Sequence, residues 1–265
     1  MSREQTFPTV VSVSMRAPFA WLAAGWQDFR AAPGSSLFYG LAFVGMGYLL
    51  NAFFASRPHI TLALGTGFTL LGPFLTIGLY HLSRQRERGE KPQLASSLSA
   101  WRANPGAIGF YAIILLLLFA GWARVSVLLV ALLFEGSMPT VATFVQHFIF
   151  SGENAAFLVI YLGVGAGFAL LVLALSVVSI PLMMDRGTDT VTAMIASFLA
   201  LARSFPAMLL WGILIGTLIF AGLATFYLGL ALTGPLVGHA TWHAYRAVVA
   251  PATSPPSPAT ADSPA

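Results

Sequence analysis

Long apolar runs alternate with short, arginine-bearing polar segments along the whole chain. The apolar runs cover residues 35–55, 60–82, 106–134, 155–184 and 206–246. Because about 20 helical residues cross the hydrocarbon core of a bilayer, each of the first four runs predicts one span. The fifth run is about twice that length, so it is expected to fold back near Gly222–Thr225 as two spans. The pattern predicts an all-α membrane protein with six transmembrane helices.

The polar segments between the runs keep aromatic and apolar residues at helical spacing. Residues 18–30 and 185–204 are typical of helices that lie in the headgroup region, and 141–150 forms a further candidate on the opposite side. A loosely ordered segment is the alternative for 18–30. Residues 1–15 and the Pro/Ser/Ala-rich residues 250–265 are predicted to be disordered tails, which leaves residues 16–249 as the membrane domain.

Basic residues are distributed asymmetrically about these spans. Eleven of the thirteen fall on the side that holds both termini, and only Arg57 and Arg124 fall on the other. Loops on the cytoplasmic side of a membrane carry the excess of Lys and Arg. Both termini are therefore predicted to be cytoplasmic.

An Arg-x-x-Pro motif recurs at three of the cytoplasmic corners, followed each time by an aromatic residue. The three copies are Arg30/Pro33 with Tyr39, Arg102/Pro105 with Tyr111, and Arg203/Pro206 with Trp211. Proline restricts the residue before it and suits the first turn of a helix, so each copy predicts that a surface helix ends and a span begins. Gly72-Pro73 and Gly234-Pro235 precede further matching segments at the ends of spans two and six. The chain is predicted to be a threefold repeat of interfacial helix, span and span.

The composition agrees with an integral membrane protein and excludes several kinds of site. Hydrophobic residues make up 57% of the chain and charged residues 8%, whereas about 25% charged residues are usual in soluble domains. The absence of cysteine excludes disulfides, iron–sulfur clusters and thiolate zinc sites. The excess of arginine lies in short loops beside spans, so it indicates membrane orientation and no nucleic-acid partner.

Histidines are the only candidate ligands for a metal ion or haem. His239 and His243 lie four residues apart on one helical face, and His81 occupies the corresponding place at the end of the second span. Headgroup contact at span ends is the alternative interpretation, and it is the one favoured. No cofactor is predicted, although haem or a metal ion stays open. The nine acidic residues fall in loops, tails or span ends, so no ionisable group buried among the spans is expected.

Three functional classes remain open after these observations. The favoured one is a non-catalytic membrane protein that binds anionic lipid headgroups or other inner-membrane proteins as an accessory or assembly factor. The alternatives are a transporter of a small or hydrophobic solute and a haem or metal redox protein. The candidate lipid- or partner-facing residues are Arg30, Arg84, Arg86, Arg88, Lys91, Arg102, Arg203 and Arg246.

Segments 72–90, 176–197 and 234–246 resemble a family of uncharacterised multi-pass inner-membrane proteins found mainly in proteobacteria. The resemblance covers about residues 16–249 and implies location in the bacterial inner membrane and a multi-span fold, with no activity attached. Some family members are labelled cytochrome c oxidase subunit I. That subunit needs six histidines within its spans, and this chain has five, two of them in predicted external loops.

Overall fold

The computed structural model describes residues 7–54, 75–133 and 155–251, except the side chains of residues 50, 51, 53 and 54. These residues are almost entirely helical, as the sequence predicts. The predicted surface helix at 141–150 lies outside the described residues. The helices are α1 (Ala17–Ala31), α2 (Pro33–Phe54), α3 (75–87), α4 (Leu94–Ser97), α5 (Pro105–Leu133), α6 (Ala155–Ser176), α7 (Ser179–Arg186), α8 (Thr190–Arg203), α9 (Phe205–Ala224) and α10 (Leu230–Val248), and a 3₁₀ turn covers Ala100–Ala103.

The last helix, α10, lies at the centre of the packing. It contacts α1, α2 and α9, and its Trp242 and Tyr245 side chains are almost completely buried. Glycines allow the backbones to approach closely at two of these contacts. A methyl group at Gly40 of α2 would lie 2.1 Å from the Ala231 carbonyl oxygen, and one at Gly25 of α1 would lie 2.7 Å from a backbone nitrogen of α10. The contacts of α10 therefore bring the two ends of the chain together.

Three stretches of the described residues are long and apolar enough to cross a membrane. They are Pro105–Leu133, Ala155–Arg186 and Phe205–Ala224, and the most apolar part of each is at most 22% buried. Large apolar side chains such as Leu132, Val159 and Phe220 are each 71% exposed, which is expected where lipid and not water surrounds a helix. The chain is therefore an all-helical membrane protein with at least three candidate spans, while the count of six stays a prediction.

The predicted proline corners coincide with helix boundaries. Pro33 and Pro105 each begin a helix, and Pro206 lies in the first turn of α9. The aromatic residues that follow the three motifs share one environment, since all three are at most 2% exposed: Tyr39, Tyr111 and Trp211. These local features agree with a repeat, but the threefold relation of the units stays a prediction.

The fourth apolar run is long and apolar enough to cross a membrane, as predicted for 155–184, but its helix is interrupted near the end. The chain leaves the helix at Val177–Val178, between α6 and α7. Pro181 explains the break, because it has no N–H to donate to the carbonyl of Val177 and its ring clashes with that group. The final turns of the run form the short helix α7, which ends at Gly187 in the left-handed conformation.

The fifth run folds back where the sequence predicts. Helix α9 ends at Ala224, and α10 begins at Leu230. In the turn between them, Phe226 and Tyr227 have φ angles of 54° and 67°. The Thr225 hydroxyl accepts a hydrogen bond of 2.8 Å from the Gly229 amide, which closes the turn without the usual glycine or asparagine at the left-handed positions.

The N-terminal segment differs from the predicted tail. The Val11 amide donates to the Val248 carbonyl at 2.8 Å, and the Ala250 amide donates to the Thr9 carbonyl at 2.9 Å. The Val10 side chain is 3% exposed. Residues 9–11 therefore pair with the chain beyond α10, while residues 1–6 and 252–265 lie outside the described part.

Candidate functional site

A carboxylate is buried where α1 meets α3 and α10. Asp28 is 3% exposed, and its two oxygens have different partners. Arg86 of α3 donates to Oδ1, and the His243 ring nitrogen Nε2 lies 2.7 Å from Oδ2. We call Asp28, Arg86 and His243, together with Ser83, Ser36 and His239, the Asp28 cluster. Its ion pairs join the first described helix to the last.

His239 extends this cluster into the interior. The ring is completely buried, and both of its nitrogens have hydroxyl partners. The Ser36 hydroxyl lies 2.9 Å from Nε2 and the Ser83 hydroxyl 2.8 Å from Nδ1. Since a neutral imidazole has one donor and one acceptor nitrogen, two hydroxyls satisfy it completely. The Ser83 hydroxyl also helps to lower the pKa of Asp28, so the cluster links His243 to Ser36 through Asp28, Ser83 and His239.

Asp28 stays ionised despite its burial. Removal from water by itself raises the pKa of a carboxyl group. Hydrogen bonds from His243, Ser83 and Arg86 outweigh that effect and hold the pKa of Asp28 below its ordinary value of 3.8. At physiological pH the Asp28 carboxylate is therefore negatively charged and lies between Arg86 and His243.

A second polar group joins the ends of α3, α7 and α10. Arg84 Nε lies 2.9 Å from Asp185 Oδ1, an ion pair whose N–H is not aligned with the oxygen. The Tyr245 hydroxyl donates to Asp185 Oδ2 at 2.8 Å. Arg246 donates to Glu87 at 2.8 Å and lies 3.8 Å from Asp185. These contacts join the ends of α3, α7 and α10 through the carboxylates of Asp185 and Glu87.

The structure divides the eight predicted lipid- or partner-facing cations into two groups. Three of them contact acidic groups of the same chain and so present less charge outward than predicted: Arg84, Arg86 and Arg246. The other five are exposed: Arg30, Arg88, Lys91, Arg102 and Arg203. Among these, Arg102 stacks on the Trp101 ring, and Arg203 donates to the Val10 carbonyl. The five exposed cations are the surface that the prediction describes.

The three candidate histidines do not converge on one ligand site. His243 contacts Asp28, His239 contacts two serines, and His81 is half-buried on α3. Within the described ranges, no group of three or more His, Asp or Glu side chains has the geometry to hold a metal ion. The shared helical face of His239 and His243 thus serves a hydrogen-bonded network between helices.

The predicted interfacial helices present apolar side chains on the face opposite their packed one. On α1, Phe19 and Trp26 are exposed, while Trp21 is buried and meets Trp211 of α9 edge to face at 5.7 Å. On α8, the exposed apolar side chains lie at helical spacing: Val191, Ile195 and Phe198. An amphipathic helix of a soluble domain is polar on its outer face. These outer faces instead suit the headgroup and acyl boundary of a bilayer.

The burial of Asp28 was missed by sequence reasoning, which expected no buried ionisable group. The residue lies in a segment with Gln27 and Arg30, where a carboxylate facing the headgroups is the ordinary interpretation. Its partners lie 58 and 215 residues away in sequence. The one available signal was the pair of histidines four residues apart in a helix of otherwise apolar and small residues.

Comparison with known proteins agrees with this architecture. No curated protein and no solved structure matches the chain. A family model matches part of it, and the match covers the second apolar run, the arginine-rich segment (residues 84–102), and the third and fourth runs. Over residues 60–185 the chain is similar to a family of predicted integral membrane proteins known as DUF2189, a domain of unknown function.

Proposed function

We propose that this protein is a non-catalytic bacterial inner-membrane protein whose cytoplasmic face binds anionic lipid headgroups. In this proposal it acts as an accessory or assembly factor for other inner-membrane proteins. It has six spans with cytoplasmic termini, arranged as three units of interfacial helix, span and span. The observation that carries the proposal is the placing of exposed arginines beside exposed apolar faces on α1 and α8.

The exposed apolar side chains and the exposed arginines both favour the boundary between lipid headgroups and acyl chains. Apolar side chains on α1 and α8 gain free energy by entering the acyl boundary. Basic side chains next to an anionic leaflet contribute about 1 kcal/mol each. Arg30 and Arg203 lie in the last turns of α1 and α8, directly before α2 and α9. The cations therefore lie where a span leaves the headgroup region.

The Asp28 cluster favours a solute transporter as a second candidate, because ion-coupled transporters use buried ionisable groups. Two features weigh against it. Both carboxylate oxygens of Asp28 already have partners within the chain. A cavity of about 420 Å³ in the described part opens at the surface between the start of α5 and the α7–α8 turn, and no residue of the Asp28 cluster lines it. It therefore offers no solute path to the buried carboxylate. Lipid binding remains the function that the exposed groups support best.

The topology is tested with alkaline phosphatase fused at successive positions, since the enzyme folds only in the oxidising periplasm. Fusions at residues 57, 140 and 223 are expected to be active, and fusions at 90 and 195 inactive. Cell activity normalised to the amount of fusion protein is the measurement. An active fusion at residue 90 would contradict the cytoplasmic placing of the arginine-rich segment.

Lipid binding is tested by neutralising the exposed cations in a triple variant with Arg30→Gln, Arg88→Gln and Arg102→Gln. Ion pairs in the described part involve other basic residues, so these substitutions spare the packed network. At about 1 kcal/mol for each cation, the affinity for phosphatidylglycerol is expected to fall at least tenfold. Native mass spectrometry of the detergent-solubilised protein, titrated with phosphatidylglycerol or phosphatidylcholine, gives the measurement.

The matched control replaces the same three arginines with lysine. It keeps the charge and is expected to retain most of the phosphatidylglycerol binding, because attraction to an anionic leaflet is a contribution of each positive charge, whether lysine or arginine. Equal binding of phosphatidylglycerol by the glutamine variant and the wild type would overturn the lipid proposal. Loss of phosphatidylcholine binding in parallel would point instead to damage to the fold.

A further inference from the structure

We propose that residues 7–16, here called the N-terminal strap, form an additional interfacial element that lays an apolar row on the bilayer. The row consists of Phe7, Val11 and Met15, and its partner is the acyl boundary of the cytoplasmic leaflet. This inference rests on the proposed orientation, with α9 starting from the cytoplasmic face. It assigns a role to a segment whose sequence predicts only a tail.

The strap is held in place from both sides. Its residues 9–11 pair with residues 248–250, as described above, through main-chain hydrogen bonds. On the other side, the Val13 amide donates to the Ser204 hydroxyl at 2.9 Å, and Arg203 donates to the Val10 carbonyl. These bonds hold the backbone at residues 9, 10, 11 and 13. The strap is therefore fixed against the rest of the protein.

Its backbone geometry sorts the side chains into two sets. Successive side chains of an extended segment point to opposite sides. Val10 is buried in the main core, while its neighbours Thr9 and Val11 are exposed. Phe7 is 47% exposed on the same side as Val11, and Met15, in the turn before α1, is 61% exposed. Val13 packs partly against the core, so the strap docks through Val10 and Val13 and leaves three large apolar side chains outside.

The attachment point places this row at the height where a span enters the membrane. Ser204 directly precedes α9, and Phe205–Ala224 is long and apolar enough to cross the bilayer. Phe205 at the start of that span and Phe198 on α8 are also exposed. An apolar row anchored beside these groups continues the surface that lipid covers.

Charge identifies the leaflet surface as the partner. Within residues 7–16 the sole charged residue is Arg16, which is exposed, and Arg203 beneath the strap is exposed as well. Cations next to an apolar row match an anionic or zwitterionic headgroup layer, where the guanidinium reaches the phosphates and the row reaches the acyl chains. An acidic group in the strap would oppose this placing, and residues 7–16 contain none.

The test uses the absence of cysteine from the natural chain, which allows single-site spin labelling without background. Val11→Cys and Met15→Cys are labelled with a nitroxide and reconstituted in phosphatidylcholine nanodiscs. The collision rates with oxygen, which concentrates in lipid, and with a water-soluble nickel complex are then measured. We expect oxygen to exceed the nickel complex several-fold at both positions. Both side chains are exposed, so the labels do not disturb the core.

Glu90→Cys is the matched control, because Glu90 is exposed in the polar loop between α3 and α4. Its label is expected to meet the nickel complex more often than oxygen. The same preference at positions 11 and 15 would overturn the strap proposal. Neutral nanodiscs contain no anionic lipid, so a failure here is distinct from a failure of the triple glutamine variant to lose phosphatidylglycerol binding.

Discussion

Replacing Asp28 with asparagine is expected to destabilise the protein by about 1–3 kcal/mol. The substitution leaves Arg86 and His243, whose side chains are 38% and 25% exposed, next to each other without the carboxylate that they contact. Because both remaining groups keep access to solvent, the cost is that of the lost charge-assisted hydrogen bonds and is smaller than for a fully buried pair. Reversible chemical unfolding of the purified protein in mild detergent, followed by circular dichroism, measures the change.

Asp189→Asn is the matched control, since Asp189 is exposed and caps α8 through a 2.9 Å bond from the Thr192 amide. Asparagine caps helices about as well as aspartate, so the expected change is within about 0.5 kcal/mol.

The pKa of Asp28 is lowered in the folded state, so its stabilising contribution is complete above pH 3.8 and is lost as the pH falls through the folded value. A change below 1 kcal/mol for Asp28→Asn at neutral pH would contradict this role.

Gly40→Ala is expected to cost about 3 kcal/mol or more, by forcing α2 away from α10. The added methyl group would lie 2.1 Å from the carbonyl oxygen of Ala231 and 2.8 Å from its Cα atom. Both are backbone atoms of a helix, so no side-chain rotation relieves the contact. Overpacking a close helix contact costs 1–3 kcal/mol or more, and the value here belongs at the upper end. The same unfolding measurement applies.

Gly45→Ala in the same helix supplies the comparison. None of the described residues lies within 4 Å of a methyl group at Gly45, so alanine there meets no atom of that part of the chain. Alanine is the better helix former, and the variant is expected to equal or exceed the wild type by up to about 1 kcal/mol. Similar stabilities for the two variants would show that Gly40 does not set the approach of α2 to α10.

The sequence predicted the features of this fold that depend on neighbouring residues. Arg-x-x-Pro located the boundaries before α2 and α5 because proline acts on its own turn and on the residue before it. The length of the fifth run required a reversal, which occurs between Ala224 and Leu230. The break at Val177 was missed, although Pro181 also signals it, because the apolar run continued without interruption.

Features that depend on distant residues were not predictable in the same way. Arg84, Arg86 and Arg246 looked equivalent to the exposed cations, since local sequence shows the charge of a side chain and not its partner. Each acquires an acidic partner only when α3 meets α1, α7 and α10. The docking of Val10 against Val249 likewise joins opposite ends of the chain. Five of the eight predicted cations are exposed and three pair within the chain, while their contact with lipid or a partner stays a prediction.

The contact between Asp28 and His243 can form only after almost all of the described chain has been synthesised. The two residues are separated by 215 positions, and the chain elongates at 5–20 residues per second, so Asp28 emerges roughly 10–40 s before its partner. During that interval α1 has neither His243 nor the α10 face on which it packs. Arg86, which is made earlier, already pairs with Asp28 in the meantime. Completion of the core therefore waits for α10, and a chain that stops before α10 lacks both the His243 partner of Asp28 and the main packing face of α1.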